Sequence, residues 1–275
     1  MLAKDEAICI RAIDYSETSQ IVTFFTKATG KITAIAKGSK RPKSAFDGPI
    51  EVFSYGKIVF SDSSREKLAT LTEFEQQPGF SNLRNNLFAL NCCLFGAELL
   101  NSLTKDYDPH PQLFDSFLQF LQTVNERLYT LSLLILFQLV LLKEIGLMPV
   151  LNACVNCKTS FEQRLSAVAP ALHSTQCGGG LAKAEESSIE NRVYFSSAAN
   201  GLICRDCEAN YQDKILLSKS AAACLTNLKI LAQSQEKTLQ EVEKILIYHF
   251  TSILNRPPKM AKHILKSDPK TTGQK

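Results

Sequence analysis

The hydrophobic period of the chain changes at Pro78, and this change limits the fold more than any other feature. Before it, five stretches rich in Ile, Val, Phe and Thr follow one another, at about 7–14, 18–26, 31–37, 50–61 and 67–75, with turn residues between them. The third alternates most plainly, with Ile32, Ala34 and Ala36 on one face and Lys31, Thr33, Ile35 and Lys37 on the other. Ala28-Thr29-Gly30 is the turn that feeds it, and Gly38 and Pro42 exclude a continuous strand into the next stretch. Five antiparallel strands in so short a segment fit a small closed barrel, and the five-stranded OB-fold is the expected form.

After Pro78 the period becomes helical. Phe80, Leu83, Leu87, Leu90, Leu94, Ala97 and Leu100 recur at threes and fours, on a helix expected to start near Ser81. A second helix follows Asp108-Pro109 with Leu113, Phe117, Leu121 and Val124 inward, and a third, at 128–145, is apolar nearly all round and belongs at the centre of a bundle. Gly146 and Pro149 end it. Two more helices are expected at 218–232 and after the capping-box pattern Thr238-Leu239-Gln240-Glu241, packing with the 80–150 helices. The apolar run Leu131–Leu142 is well short of the roughly 18 to 20 residues that span a bilayer. No secretory signal is visible at the N-terminus, so the nine cysteines are expected in a reducing cytoplasm.

The cysteines carry the clearest chemistry. Cys154-Val155-Asn156-Cys157 and Cys204-Arg205-Asp206-Cys207 are two C-x-x-C pairs, the spacing that turns neighbouring thiolates towards one tetrahedral Zn²⁺. The 46 residues between the pairs exceed the usual 15 to 20, but closure entropy grows only logarithmically with loop length. One structural zinc per chain is the expected cofactor, and an empty or redox-active quartet is the alternative. Cys177 lacks a paired neighbour and is left out of the ligand set, while Cys9, Cys92, Cys93 and Cys224 read as small buried hydrophobes.

Charge is distributed unevenly. The net value is only +4, yet Lys27, Lys31, Lys37, Lys40, Arg41 and Lys43 fall within 17 residues that contain no acid. The last twenty residues hold six further cations against Asp268 alone. Such clusters bind a polyanion locally without an extreme overall charge, or else form a solvated loop and a frayed tail. Four histidines, none in H-E-x-x-H or in H-x-E before P-C-x-x-C, leave zinc hydrolysis and deamination without a general base, and a four-Cys site is closed to substrate. No phosphate loop, G-x-G-x-x-G or G-x-S-x-G occurs. The sequence therefore predicts no enzyme. His110, between two prolines, reads as a residue that begins a helix, and His249 as a core-side residue.

Together these parts predict a multidomain α+β protein. The expected division is an OB-fold at 1–78, a helical domain at 79–150 and 211–255, a four-Cys zinc module inserted at 151–210, and a basic, flexible tail at 256–275. In this order they resemble the RecO family of bacterial recombination mediators. Asp14-Tyr15-Ser16-Glu17-Thr18-Ser19 before Ile21-Val22-Thr23-Phe24-Phe25-Thr26, then Gly30-Lys31-Ile32 through Gly38 and Lys40-Arg41-Pro42-Lys43-Ser44, look like that family's barrel signature. Gly146-Leu147-Met148-Pro149, Tyr194-Phe195-Ser196 and Gly201-Leu202-Ile203-Cys204 look like its zinc module. The 178–193 stretch is longer than the family needs, and Asn200 stands where a Gly-Gly pair is typical.

The resemblance implies a cytoplasmic, nucleoid-associated protein that binds single- and double-stranded DNA and anneals complementary strands. It also implies recognition of single-stranded DNA-binding protein and action with RecR to help load RecA, with no membrane partner. The phosphate contacts are expected from Lys31, Lys37, Lys40, Arg41 and Lys43, with Phe24, Phe25, Phe53, Tyr55 and Phe60 available for stacking where they face outward. A protein-interaction adaptor with a structural zinc is the other reading.

Overall fold

In the computed structural model, residues 2–41, 44–46, 48–61, 68–126, 130–161 and 192–265 are described. Strands β1 (Leu2–Asp14), β2 (Gln20–Thr26), β3 (Gly30–Ala36), β4 (Tyr55–Ser61) and β5 (Ala69–Gln76) close a barrel in the order β1-β2-β3-β5-β4. β1 begins earlier than its apolar pattern suggests, because Lys4, Asp5 and Glu6 hide the alternation. Residues Leu2–Ile8 pair with β4 and Ala7–Asp14 with β2, and the register shift between Cys9 and Arg11 bends the strand from one neighbour to the other. β3 and β5 close the barrel in parallel at Ala34↔Ala69 and Ile35↔Thr70. β4 starts later than expected, since Phe53, with φ at 71°, turns the chain before Tyr55. Val22, Phe24, Ile32, Ile58, Phe60 and Phe74 fill the interior, with Phe24 and Phe74 edge to face.

Gly30 pins the barrel to the helices that follow. Its φ is +85°, and a Cβ there would lie 2.3 Å from the Asp108 carbonyl oxygen, so only glycine fits the turn and the close approach together. The Tyr107 amide donates to the Lys31 carbonyl beside it (2.9 Å).

The helices are α1 (Leu87–Leu103), α2 (Pro111–Asn125), α3 (Thr130–Glu144), α4 (Lys219–Thr226), α5 (Glu236–Leu254) and the short α6 (Ala261–Ile264). α1 differs from the periodic reading at its start. Ser81–Asn85 is a separate 3₁₀ turn, Asn86 is the cap whose side chain accepts from the Ala89 amide (3.1 Å), and Leu87 is 72% exposed, off the buried stripe. His110 occupies the cap of α2 with Pro111 at the first helical position, as expected of a residue that begins a helix. α3 is buried on nearly every side and ends before Gly146 at φ +75°. Phe117, Phe120 and Phe137 pack together between α2 and α3.

Two readings of the second half are corrected. The 218–232 helix is two pieces, α4 capped by Ser218 and a 3₁₀ segment Leu228–Gln233 capped by Asn227, because Asn227 breaks the helix to cap the next turn. The Thr238–Glu241 pattern does not start its helix. α5 already starts at Glu236, and the Glu241 carboxylate accepts instead from the amide and hydroxyl of Ser218 (2.7 and 2.6 Å), securing the start of α4.

The chain divides into two compact units, Met1–Ile145 with Pro258–Lys275, and Gly146–Pro257. The first joins the barrel to α1–α3. The second groups α4 and α5 with the cysteine region, where the sequence reading grouped them with the 79–150 helices. The connection is polar: buried His249 Nδ1 lies 2.8 Å from the Ser197 hydroxyl, and Tyr248 donates to Asp213 (3.3 Å). Part of the tail is ordered within the first unit. The amides of Lys259 and Met260 donate to Glu98 (2.7 and 2.8 Å), and Ala261 and Ile264 are buried in α6 against α1. Residues 266–275 and the 162–191 stretch, with Cys177 and most of the long insert, lie outside the described residues. Among the described residues no helix is long and apolar enough to cross a membrane.

Candidate nucleic-acid interface and metal centre

The metal centre is built from two tight turns and a hairpin. β6 (Val193–Ser196) pairs with β7 (Gly201–Cys204) and with β8 (Ile215–Leu216). Cys204 ends β7, and Cys207 follows on a 3₁₀ turn. The first pair is held against this hairpin by backbone bonds, from Val155 N to the Leu202 carbonyl (2.9 Å) and from Leu202 N to the Val150 carbonyl (2.9 Å). Gly201 is required here, because a Cβ at its φ of +157° would lie 2.5 Å from the Val150 oxygen. Asn200 adopts the left-handed conformation (φ 53°) that its position in the hairpin turn demands.

These contacts bring the Sγ atoms of Cys154, Cys157, Cys204 and Cys207 within 4.8 Å of one another, with Cys157 and Cys204 at 3.6 Å. Four sulfurs at about 2.3 Å from one tetrahedral ion stand about 3.8 Å apart, so the quartet fits a metal ion and is compatible with zinc. Donors already point at the sulfurs: the Cys204 amide towards Cys154 (3.4 Å) and the Asn156 side-chain amide towards Cys207 (3.2 Å). The Thr159 hydroxyl beside Cys157 holds that exposed thiol down to about 6, whereas burial pushes Cys204 up to about 12. Three of the four are buried and Cys157 is exposed, and four thiolates would by themselves complete a tetrahedral ion's coordination. Cys9, Cys92, Cys93 and Cys224 are buried and form no disulfide among the described residues, as their patterns suggest.

The basic cluster divides into two kinds of residue. Lys31 is 11% exposed at its side chain, and its ammonium donates to the carbonyls of Asn101 (2.8 Å) and Thr104 (2.7 Å) with Asp106 at 3.3 Å, so it ties β3 to the end of α1. Lys40 is paired with Asp14 at 2.7 Å. Lys37 and Arg41 are exposed and form no ion pair among the described residues. Lys43 lies outside them. The loop that carries Lys40 and Arg41 is seated on the β1–β2 turn: Lys40 N donates to the Thr18 carbonyl (3.1 Å), and buried Ser39 donates to Gln20 (2.9 Å). The Asp14–Ser19 motif and the basic loop are therefore one structural feature.

The five aromatics considered for stacking all face inward or are engaged. Phe24, Phe25 and Phe60 are fully buried, Phe53 packs near Phe117, and the Tyr55 hydroxyl donates to Glu6. Among the described residues the exposed aromatic is Tyr15, 64% accessible, just after β1. Outward on β1–β3 lie two cross-strand rows, Ile13–Ile21–Ile35 and Arg11–Thr23–Thr33. Arg11 and Tyr15 were missed in the sequence because Arg11 stands outside the basic run and Tyr15 inside an acidic turn. Strand register, which puts Arg11 on the outer face, was the missing signal for the one, and exposure in the β1–β2 turn for the other.

Residues 1–79 match the family model described as Recombination protein O N terminal, and residues 84–188 match Recombination protein O C terminal. The chain is 35% identical over 207 residues to the DNA repair protein RecO of Bacillus subtilis, covering 75% of this chain and 69% of that protein. The chain belongs to the RecO family. Another RecO, from Bacillus pumilus, is 29% identical over 257 residues, 91% of this chain and 88% of its own length. That of Halalkalibacterium halodurans is 36% identical over 160 residues, 58% of this chain and 62% of its own. The family places the chain in DNA repair and recombination, and its barrel is the part matched by the N-terminal model.

Proposed function

We propose that the protein is a non-enzymatic recombination mediator that binds single- and double-stranded DNA and anneals complementary strands on the outer face of β1–β3. The observation that carries this reading is the unpaired charge of exposed Lys37 and Arg41, with Arg41 on a loop fixed to the β1–β2 turn that begins at exposed Tyr15. Lys37, Arg41 and Lys43 contact phosphates. Lys40 contributes in competition with Asp14, and Lys31 adds a fixed positive charge behind the surface. Bases stack on Tyr15 and on the isoleucine row, in place of the buried phenylalanines. Two DNA strands repel through their phosphates, so neutralising several on each lowers the barrier to their encounter without bond chemistry.

The cysteine quartet holds one structural zinc per chain and stiffens the second unit. The family further supports action with RecR, recognition of single-stranded DNA-binding protein and help in loading RecA, in the cytoplasm at the nucleoid. Strand annealing assayed without ATP tests the reading. Annealing that accelerates with protein and weakens steeply with salt supports it, and no binding to DNA at low salt removes it.

A further inference from the structure

The β1–β3 face is not flat. A cavity of about 300 Å³ opens on it, lined by Arg11, Ile13, Ile21, Lys31, Asn101 and Asp106. Its size is at the lower end of small-ligand sites. One wall is apolar: Ile13 and Ile21 are cross-strand partners, and Ile13 is 41% exposed. The neighbouring hydroxyls of Thr23 and Thr33 bond to each other (3.3 Å), leaving the remaining polar wall to the α1 end. There the Asp106 carboxylate stands 61% exposed, and Asn101 lines the same cavity.

The Asp106 carboxylate pairs with Lys31 and still lines the open cavity. Lys31, fixed at 3.3 Å, offsets its charge, so it does not repel phosphates as a lone acid would. Both oxygens remain acceptors. Among the four DNA bases only guanine offers two adjacent donors, the N1–H and the N2 amine, on its Watson–Crick edge. Adenine and cytosine offer one amine and thymine one imino group. An inserted base would set its face on Ile13 and Ile21 and its edge on Asp106 and Asn101, with the neighbouring phosphate at Arg11.

We propose that this cavity reads the Watson–Crick edge of an unpaired guanine. The inference rests on the assignment of the β1–β3 face to DNA. In duplex DNA that edge is bonded to cytosine, so the cavity selects single strands, and pairing during annealing withdraws the guanine from the protein.

Fluorescence anisotropy on the full chain tests this with three labelled 25-mers: oligo(dT), the same strand with isolated guanines at every fifth position, and that strand with inosine for guanine. Isolated guanines form no quadruplex. The guanine strand should bind roughly tenfold tighter than oligo(dT), as a bidentate base contact allows. The inosine strand, which lacks the N2 amine, should lose most of that preference, a comparison that needs no variant protein. Asp106→Asn, equal in volume, should bring the guanine preference to near one while binding of oligo(dT) holds or strengthens. If all three strands bind tightly and equally, or if adenine or cytosine placed in the same positions is preferred to guanine, the cavity does not read guanine and the phosphate-binding face stands. If none of the strands binds, both assignments fall.

Discussion

Replacing Lys37 and Arg41 together by alanine gives the sharpest handle on the proposed DNA face. Both are exposed and unpaired among the described residues, so each is free to displace one condensed counterion from a phosphate. On single strands the slope of log affinity against log salt should flatten by about 1.4, at about 0.7 per contact. Between 50 and 200 mM salt the parent's advantage over the double variant should then shrink by a factor of about 7. Adding Arg11→Ala should raise the flattening to about 2.1. Lys40 behaves differently because Asp14 already neutralises it at 2.7 Å. Lys40→Ala alone leaves an uncompensated acid and weakens binding, while Lys40→Ala with Asp14→Asn largely restores it. The assay is a salt titration of oligonucleotide binding, with a denaturant curve as control, since exposed substitutions of this kind shift stability by no more than about 0.5 kcal/mol. A Lys37/Arg41 variant with the parent's slope would refute the reasoning.

Three further outcomes follow from the fold. Metal analysis of reduced protein should find about one zinc per chain, and Cys204→Ser with Cys207→Ser should abolish it while the barrel keeps its cooperative unfolding, since the quartet belongs to the other unit. Gly30→Ala should destabilise by at least about 2 kcal/mol in urea unfolding, combining a left-handed backbone with a 2.3 Å clash at Asp108. Burial holds the His249 pKa below its ordinary value of 6.5, so between its folded and unfolded pKa values the unfolded chain binds more protons. Stability should therefore fall as pH drops from about 6.5 towards the folded pKa, and His249→Asn should remove that component of the pH dependence.

The barrel was legible because its apolar alternation is regular from Val22 to Ala36, and α3 because it is apolar all round. The cysteine quartet was legible because C-x-x-C spacing is set by the local turn that brings two sulfurs together. What was not legible depends on tertiary partners. Glu241 looks like a local cap, yet it caps Ser218 from 23 residues away. Lys31 sits in a basic run, but its ammonium is taken by carbonyls at the end of α1. Arg11 becomes a surface candidate only when strand register assigns it to the outer face, and Tyr15 only when the turn after β1 leaves it exposed. Asn86 replaces Ser81 as the cap because Ser81–Asn85 forms its own turn first.

The central claim is that single-stranded DNA lies on the outer face of β1–β3. Photocrosslinking with bromodeoxyuridine-substituted strands, mapped by mass spectrometry, tests it most directly. The account predicts adducts at Tyr15 and in the peptides carrying Arg11 and Lys37, suppressed by excess unlabelled strand and lost at high salt. Adducts confined to the Gly146–Pro257 unit or to the 266–275 residues, with none on β1–β3, would contradict it.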